Sequence, residues 1–262
     1  MKIHPTAIVD KKAKLADDIE VGPYAIIGPH TEIARGNVIG GRATVEGYTT
    51  IGEGNRIFTG AVIGSAPQDL KYKGKKTFLK IGKNNIIREY VTMNPGTEEG
   101  TSTSIGDGNL FMAYSHVAHN CRVGNNCVIA NAGTLAGHVT LEDKVVLGGF
   151  AGMHQFTRVG KIAIIGGCSK VVQDIPPFST CDGNPARVYG LNLVGVRRAG
   201  MPQKAQRELK KAFKILFHSG LALKNSIKKV KKEIKLVEEV EYLLDFLKGS
   251  ERGICRGSRE NG

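Results

Sequence analysis

The sequence predicts a mainly β chain: a parallel β-helix of six-residue repeats that passes into a smaller α-helical domain. Three observations carry this. Apolar residues recur at every sixth position, and of the 29 positions in phase from 3 to 171 only Asp69, Lys75 and Glu99 break the rule. Aromatic residues make up only 6% of the chain, Trp is absent and there are 34 glycines, so a core must be assembled from small and branched aliphatics in layers. After Gly200 the apolar spacing changes from six to helical.

The first run of the repeat is Ile3, Val9, Leu15, Val21, Ile27, Ile33, Ile39, Val45, Ile51, Ile57 and Ile63. Short strands joined by tight corners, three to a coil of eighteen residues, stack into a triangular prism. Glycine often follows the apolar position, as at Gly22, Gly28, Gly40 and Gly52, and is expected to ease the corner. Two stretches leave the pattern, 64–80 (GSAPQDLKYKGKKTFLK) and 94–104 (NPGTEEGTSTS), and are expected to project as loops. Between and beyond them the phase returns at Ile81, Ile87 and Met93, and from Ile105 to Val171. Pro176, Pro177 and Pro185 then oppose another regular coil. This divides the chain into a prism over 1–190 and a helical domain over 191–262. In that second part, 203–220 has helical spacing with Gly220 as its stop, and 225–249 reads as one or two more helices. The tail 250–262 looks loosely ordered.

The net charge is +13, and 17 Lys and Arg against 8 Asp and Glu fall between Arg197 and the C-terminus. A basic helical domain of this kind is a solvated face or a surface for an acidic partner. No stretch approaches the roughly 18 apolar residues of a membrane span, and the first twelve residues hold no long apolar run. The five cysteines show no CxxC spacing, which points to neutral thiols in a reducing cytoplasm.

Four of the seven histidines fall between 116 and 154. Residues eighteen apart stack at roughly 4.8 Å, the spacing of neighbouring strands. His119, Gly137 and Gln155 therefore form one column, flanked by His138 and His154, with His116 close by. Such a patch suits an open zinc site, as in the γ-class carbonic anhydrases on a prism of this kind, or general-base catalysis by one imidazole. Histidines that only pack and hydrogen-bond at subunit contacts are the plainer alternative.

Taken in this order, PQDLKYKG (67–74), HVAHN (116–120), LAGHV (135–139), HQF (154–156), IGGCSK (165–170) and GLNLVGVRRAG (190–200) resemble the UDP-N-acetylglucosamine O-acyltransferase family. The likeness covers nearly the whole chain. It implies a left-handed β-helix and a cytoplasmic homotrimer that begins lipid A synthesis. The implied reaction moves a 3-hydroxyacyl group from the phosphopantetheine of acyl carrier protein to the 3-hydroxyl of UDP-N-acetylglucosamine. No acyl-enzyme, metal or further cofactor is implied, and neither is a nucleic-acid partner.

Residue by residue, the resemblance makes His119 the general base and Gly137 the oxyanion donor. Asn120 stands beside the base where many relatives have Asp. Gln68 and Asp69 would meet the sugar and acyl chain, and Lys71 would add positive charge. His116, His138, His154 and Gln155 would surround the sugar nucleotide, and Asn192 and Arg198 would lie near the nucleotide and carrier arm. Gly167, in the column Asn131–Gly149–Gly167, would leave the acyl groove open for a long chain. The departures at Asn120, at 93–97 (MNPGT) and at Ala199 leave room for a 3-amino sugar and an amide product. A sister N-acyltransferase normally carries an extra N-terminal domain, for which repeats starting at Ile3 leave no space. A non-enzymatic scaffold would predict that changing His119 alone costs nothing.

Overall fold

The computed structural model describes residues 1–257. Its strands, mostly two residues long, stack into three parallel sheets of nine, eight and eleven strands, the last ending in an antiparallel hairpin. Consecutive strands enter different sheets, and each pairs with the strand one coil away, as in Lys2↔Glu20 and Ile3↔Val21. The result is a left-handed parallel β-helix. In the two-residue strands of the prism the second residue points inward and the first outward, so Glu20–Val21, Glu32–Ile33 and Arg122–Val123 each pair an exposed with a buried side chain. This alternation is the pleat itself. Each fully buried Ile adds about 1.5–3 kcal/mol of hydrophobic stabilisation. Small residues such as Ala25, Ala43 and Ala61, all fully buried, fill the inner corners between the larger ones.

The glycines after the apolar position serve a purpose other than the expected one. The residue with positive φ at each corner is usually not glycine: Tyr24, Arg42, Tyr114, Asn120, His138 and Phe156 all occupy the left-handed region. Gly28 and Gly40 have ordinary φ values, and what excludes a side chain there is the next coil. A Cβ on Gly40 would lie 2.9 Å from the carbonyl oxygen of Ile57. Close approach of stacked backbones, not turn geometry, selects glycine at these sites.

One corner carries a buried ladder of asparagines that periodicity alone does not reveal. Asn37 Oδ1 accepts from the N–H of Asn55, Asn55 from Asn85, Asn85 from Asn109, and Asn109 from Cys127, at 2.7–3.0 Å. Each side chain thereby satisfies a buried backbone donor that the turn leaves without a carbonyl.

The two loops are shorter than expected. Strands Phe78–Ile81 and Ser102–Ile105 begin early, because Leu79 and Thr103 alternate inward above Thr49. The insertions change the stacking interval, so that Ile51 pairs with Ile81 and Ile81 with Ile105. The loops clasp one another. Lys75 pairs with Glu98 at 2.5 Å, the Lys76 N–H donates to Glu99 at 3.0 Å, and the Gly96 N–H reaches the Phe78 carbonyl at 3.3 Å.

Beyond the last coil, Ser179–Gly183 and Ala186–Leu191 form the hairpin. Four helices follow: α1 (Leu193–Arg198), α2 (Gln203–His218), α3 (Leu223–Glu233) and α4 (Glu238–Lys248). The short α1 is not evident from spacing. Helix α2 ends before Gly220, whose φ of +72° suits the stop. Helices α2 and α4 bury apolar stripes that include Leu209, Phe213, Leu243 and Phe246. Glu142 fastens α4 to the prism. It holds the Arg158 guanidinium at 2.7 Å, accepts the Lys161 N–H at 2.9 Å and accepts the Tyr242 hydroxyl, while Arg158 lies over the Phe246 ring.

The tail is more ordered than its composition suggests. Ile254 bridges Asp174 and Gly257 bridges Val188, and Cys255 is buried. The last five residues of that tail, 258–262, lie outside the described residues. All five cysteines are free thiols, with only Cys168 exposed, and burial pushes Cys121 and Cys127 up to about 12. Among the described residues, no helix is long and apolar enough to cross a membrane.

Candidate active site

His119 opens a corner of the prism and is buried, 8% exposed. Its ring packs against Gly137, one coil above. A Cβ placed on Gly137 would fall 2.4 Å from His119 Cε1 and 2.5 Å from Nε2. Among the described residues the Gly137 N–H makes no hydrogen bond, although the neighbouring Ala136 and His138 N–H groups both reach carbonyls. The column inferred from eighteen-residue spacing is thus a direct contact between an imidazole and a glycine whose N–H is unpaired among the described residues.

The two ring nitrogens have different surroundings. Nδ1 is 3.0 Å from Asn120 Oδ1. That same oxygen accepts from the Thr97 N–H at 3.1 Å and the Thr97 hydroxyl at 2.9 Å. Nε2 faces Asp69 Oδ2 at 3.9 Å, too far for a hydrogen bond. Asp69 is itself fixed, since its Oδ1 accepts from the Lys71 N–H at 2.9 Å. Its loop is anchored by Asn94, a buried residue whose amide donates to the carbonyls of Ser65 and Ala66 at 3.0 and 3.3 Å.

Around this centre, His138 meets the His119 ring edge-on at 5.2 Å and stacks on Phe156 at 4.5 Å. Burial and the neighbouring His119 hold His138 below its ordinary value, against a smaller opposing pull from Asp69. Burial is also the main cause that lowers His116, with His119 adding to it. His116 Nδ1 is 2.6 Å from the Thr92 hydroxyl. The cluster therefore favours neutral imidazoles around His119.

The remaining expected residues lie farther out. Gln68, Lys71, His154 and Gln155 are exposed, and His154 Nδ1 is 3.1 Å from an Arg252 guanidinium nitrogen. Gly167 lies at the neighbouring corner, open apart from the Gly149 carbonyl 3.2 Å from where its Cβ would be. The Asn192 side chain is occupied within the fold, with Oδ1 capping α1 through the Gly195 N–H at 2.9 Å and Nδ2 donating to the Ile162 carbonyl at 2.8 Å. It orients the helix on which Arg198 sits exposed. Thr97, Asn94 and Phe156 are site residues that spacing could not supply. The first two fall where the repeat is interrupted, and Phe156 has the look of an ordinary corner residue.

A polar cleft of about 600 Å³ adjoins the cluster, lined by Asn120, Arg122, His138, Thr140, Phe156 and Arg158. A larger one of about 960 Å³ lies away from the His119 cluster, between the α2–α3 connection and the tail. Among the described residues no group of three or more His, Cys, Asp or Glu is arranged to hold a metal.

Comparison with known proteins agrees over the whole chain. A family model described as Udp N-acetylglucosamine O-acyltransferase, domain 2, matches residues 174–255, and one described as bacterial transferase hexapeptide (six repeats) matches 102–137. The acyl-(acyl-carrier-protein)–UDP-N-acetylglucosamine O-acyltransferase of Alkalilimnicola ehrlichii is 52% identical over 256 residues, 97% of this chain and 99% of the relative. Its counterpart from Thiobacillus denitrificans is 51% identical over 255 residues, again 97% and 99%. Among solved structures, LpxA from Acinetobacter baumannii superposes with a TM-score of 0.91 at 42% identity, covering 97% of this chain and 99% of that one. The UDP-N-acetylglucosamine acyltransferase from Campylobacter jejuni gives 0.91 at 41%, covering 98% and 100%.

Proposed function

The chain belongs to the acyl-(acyl-carrier-protein)–UDP-N-acetylglucosamine O-acyltransferase family, and from that premise we propose that it moves a 3-hydroxyacyl group from acyl carrier protein to the sugar 3-hydroxyl, with His119 as general base. The observation that carries the mechanism is the asymmetry of the ring. Nδ1 is engaged by Asn120 while Nε2 packs against Gly137, whose N–H is unpaired among the described residues. As the sugar oxygen attacks the thioester carbonyl, Nε2 takes its proton. The Gly137 N–H donates to the oxyanion that forms. When the C–S bond breaks, the imidazolium returns the proton to the departing phosphopantetheine sulfur, leaving an ester and a free carrier thiol. Asp69 supports the positive ring in between. No covalent acyl-enzyme arises, and the acyl group arrives on the carrier's own phosphopantetheine.

Gln68, Lys71, His154 and Gln155 are free to meet the sugar nucleotide, and Arg198 to pair with phosphate. The acyl chain would run along the prism face from His119 toward Gly167. Between them lie Thr134 and Gly152, both exposed and small, and no atom lies within 4 Å of where a Gly152 Cβ would be. A homotrimer fits the corner that holds Gly167. Tyr90 and Tyr114 stack there at 5.3 Å, and they and Phe150 are 51%, 64% and 72% exposed, an aromatic ridge suited to cover by a second copy. The basic helical domain suits the acidic carrier protein, and the reaction suits the first step of lipid A synthesis in the cytoplasm.

The test is transfer from a panel of 3-hydroxyacyl carrier proteins to UDP-N-acetylglucosamine, with His119→Ala run in parallel. Ester product from the wild type, reduced by about 10²–10⁴-fold in the variant, is the expected result. An unchanged rate in the variant would remove His119 as the base. Product only from the 3-amino sugar would replace the ester with an amide.

A further inference from the structure

An amide beside a catalytic imidazole raises a problem that a carboxylate does not. The two oxygens of a carboxylate are equivalent, and either can accept the ring N–H. The two ends of an amide have nearly the same shape and opposite hydrogen-bonding character. Turned one way, Asn120 accepts from Nδ1 and leaves Nε2 bare. Turned the other way, it donates to Nδ1, the ring proton moves to Nε2, and the ring cannot take a proton from substrate at that nitrogen. Something must choose between the two.

Thr97 is placed to make that choice. A backbone N–H can only donate, so the Asn120 atom 3.1 Å from the Thr97 nitrogen has to be the oxygen. The Thr97 hydroxyl, 2.9 Å away, is satisfied as a donor to the same atom. A turned amide would set its NH₂ against the Thr97 N–H, donor against donor. Nor can the Thr97 backbone move aside. Residues 94–97 are all buried. The Asn94 N–H is tied to the Val117 carbonyl at 3.0 Å, and the Gly96 N–H to Phe78 at 3.3 Å. Gly96 packs so closely that a Cβ there would lie 2.4 Å from Thr101 Oγ1.

We propose that Thr97 is a positioning residue that sets the tautomer of His119, holding the Asn120 amide oxygen toward Nδ1 so that the proton rests there and Nε2 is left to act as base. The inference rests on the reading of His119 as the general base. Thr97 touches neither substrate nor the reacting atoms, and it acts through Asn120.

The test combines a spectrum with a double-variant comparison on the full-length enzyme. ¹⁵N spectra of histidine-labelled protein, recorded where the rings are neutral, report which nitrogen carries the proton, and His119→Gln assigns the signal. The wild type should show Nδ1–H and bare Nε2. Replacing Thr97 by its α-hydroxy acid turns the backbone N–H into an ester oxygen and keeps the side chain, so an acceptor stands where the donor stood. It should admit the Nε2–H form and lower kcat about tenfold, with KM unchanged. Thr97→Val keeps the backbone donor, loses only the hydroxyl and should retain Nδ1–H. In an Asn120→Asp background, where no orientation has to be chosen, the ester should cost less than about twofold. An Nε2–H ring in the wild type overturns the proposal. So does an ester variant with unaltered tautomer, or an equal kcat loss in both backgrounds. If the wild type transfers no acyl group at all, the functional reading fails, while the spectrum still decides whether Thr97 sets the tautomer.

Discussion

Replacing Gly137 with Ala should uncouple catalysis from folding at this site. The added Cβ would lie 2.4 Å from His119 Cε1 and 2.5 Å from Nε2. Carbon atoms rest at about 3.5–4 Å, so the ring must retreat by about 1 Å. Gly137 lacks positive φ, so Ala brings no backbone strain. The ring retreats from a 3.0 Å bond to Asn120 and from its place against Gly137. A displacement of about 1 Å in a catalytic group costs about 10²-fold, or about 2.7 kcal/mol of barrier. The assay is kcat for acyl transfer, read beside the thermal unfolding midpoint. Gly190→Ala, whose Cβ would meet nothing within 4 Å, is the matched control and should leave both unchanged. A Gly137→Ala enzyme with wild-type kcat would refute the placement of the base against this glycine.

Gly167→Met would extend a side chain over the open corner beside Gly149, and competition between donors of different length should shift toward the shorter acyl group; unaltered preference would remove Gly167 from the acyl groove. Tyr242→Phe deletes one of the groups on Glu142 that bind α4 to the prism, and should lower stability to denaturant by about 1–2 kcal/mol with kcat retained; an unshifted midpoint would show the latch to be redundant. The lowered values of His116 and His138 also set a pH dependence. Below the ordinary 6.5 the unfolded chain takes up protons that these folded rings refuse, so their contribution is full above that pH and is lost as pH falls through the lowered folded values. Unfolding midpoints should therefore drop below about pH 6.5, and His116→Gln should flatten that drop; a variant with the wild-type slope would exclude His116 as its source.

The period of six was enough to place the inward residues, the coil length and the histidine column, because a stacked prism repeats one local rule and leaves little for distant residues to decide. The same rule misattributed the glycines. Spacing shows that Gly28 and Gly40 recur, and only the stacked coils show that the backbone above them is what excludes a side chain. The helix stop at Gly220 was legible because capping is local, and the docking of Ile254 on Asp174 was not, because it joins residues eighty apart.

At the site, the sequence by itself determined that His119 lies beneath Gly137, since that follows from counting eighteen, and the family resemblance proposed it as the base. It did not determine the state of that base. Thr97 lies 22 residues before His119, in a segment where the repeat is broken, and its hold on Asn120 exists only because the loop folds back into the wall of the prism. Asp69 and Asn94 reach the site in the same way. Inside the repeat, position in the sequence fixes position in space. In the inserted loops no periodic term does so, and the geometry around the imidazole was settled by buried hydrogen bonds that form only once the coils have stacked.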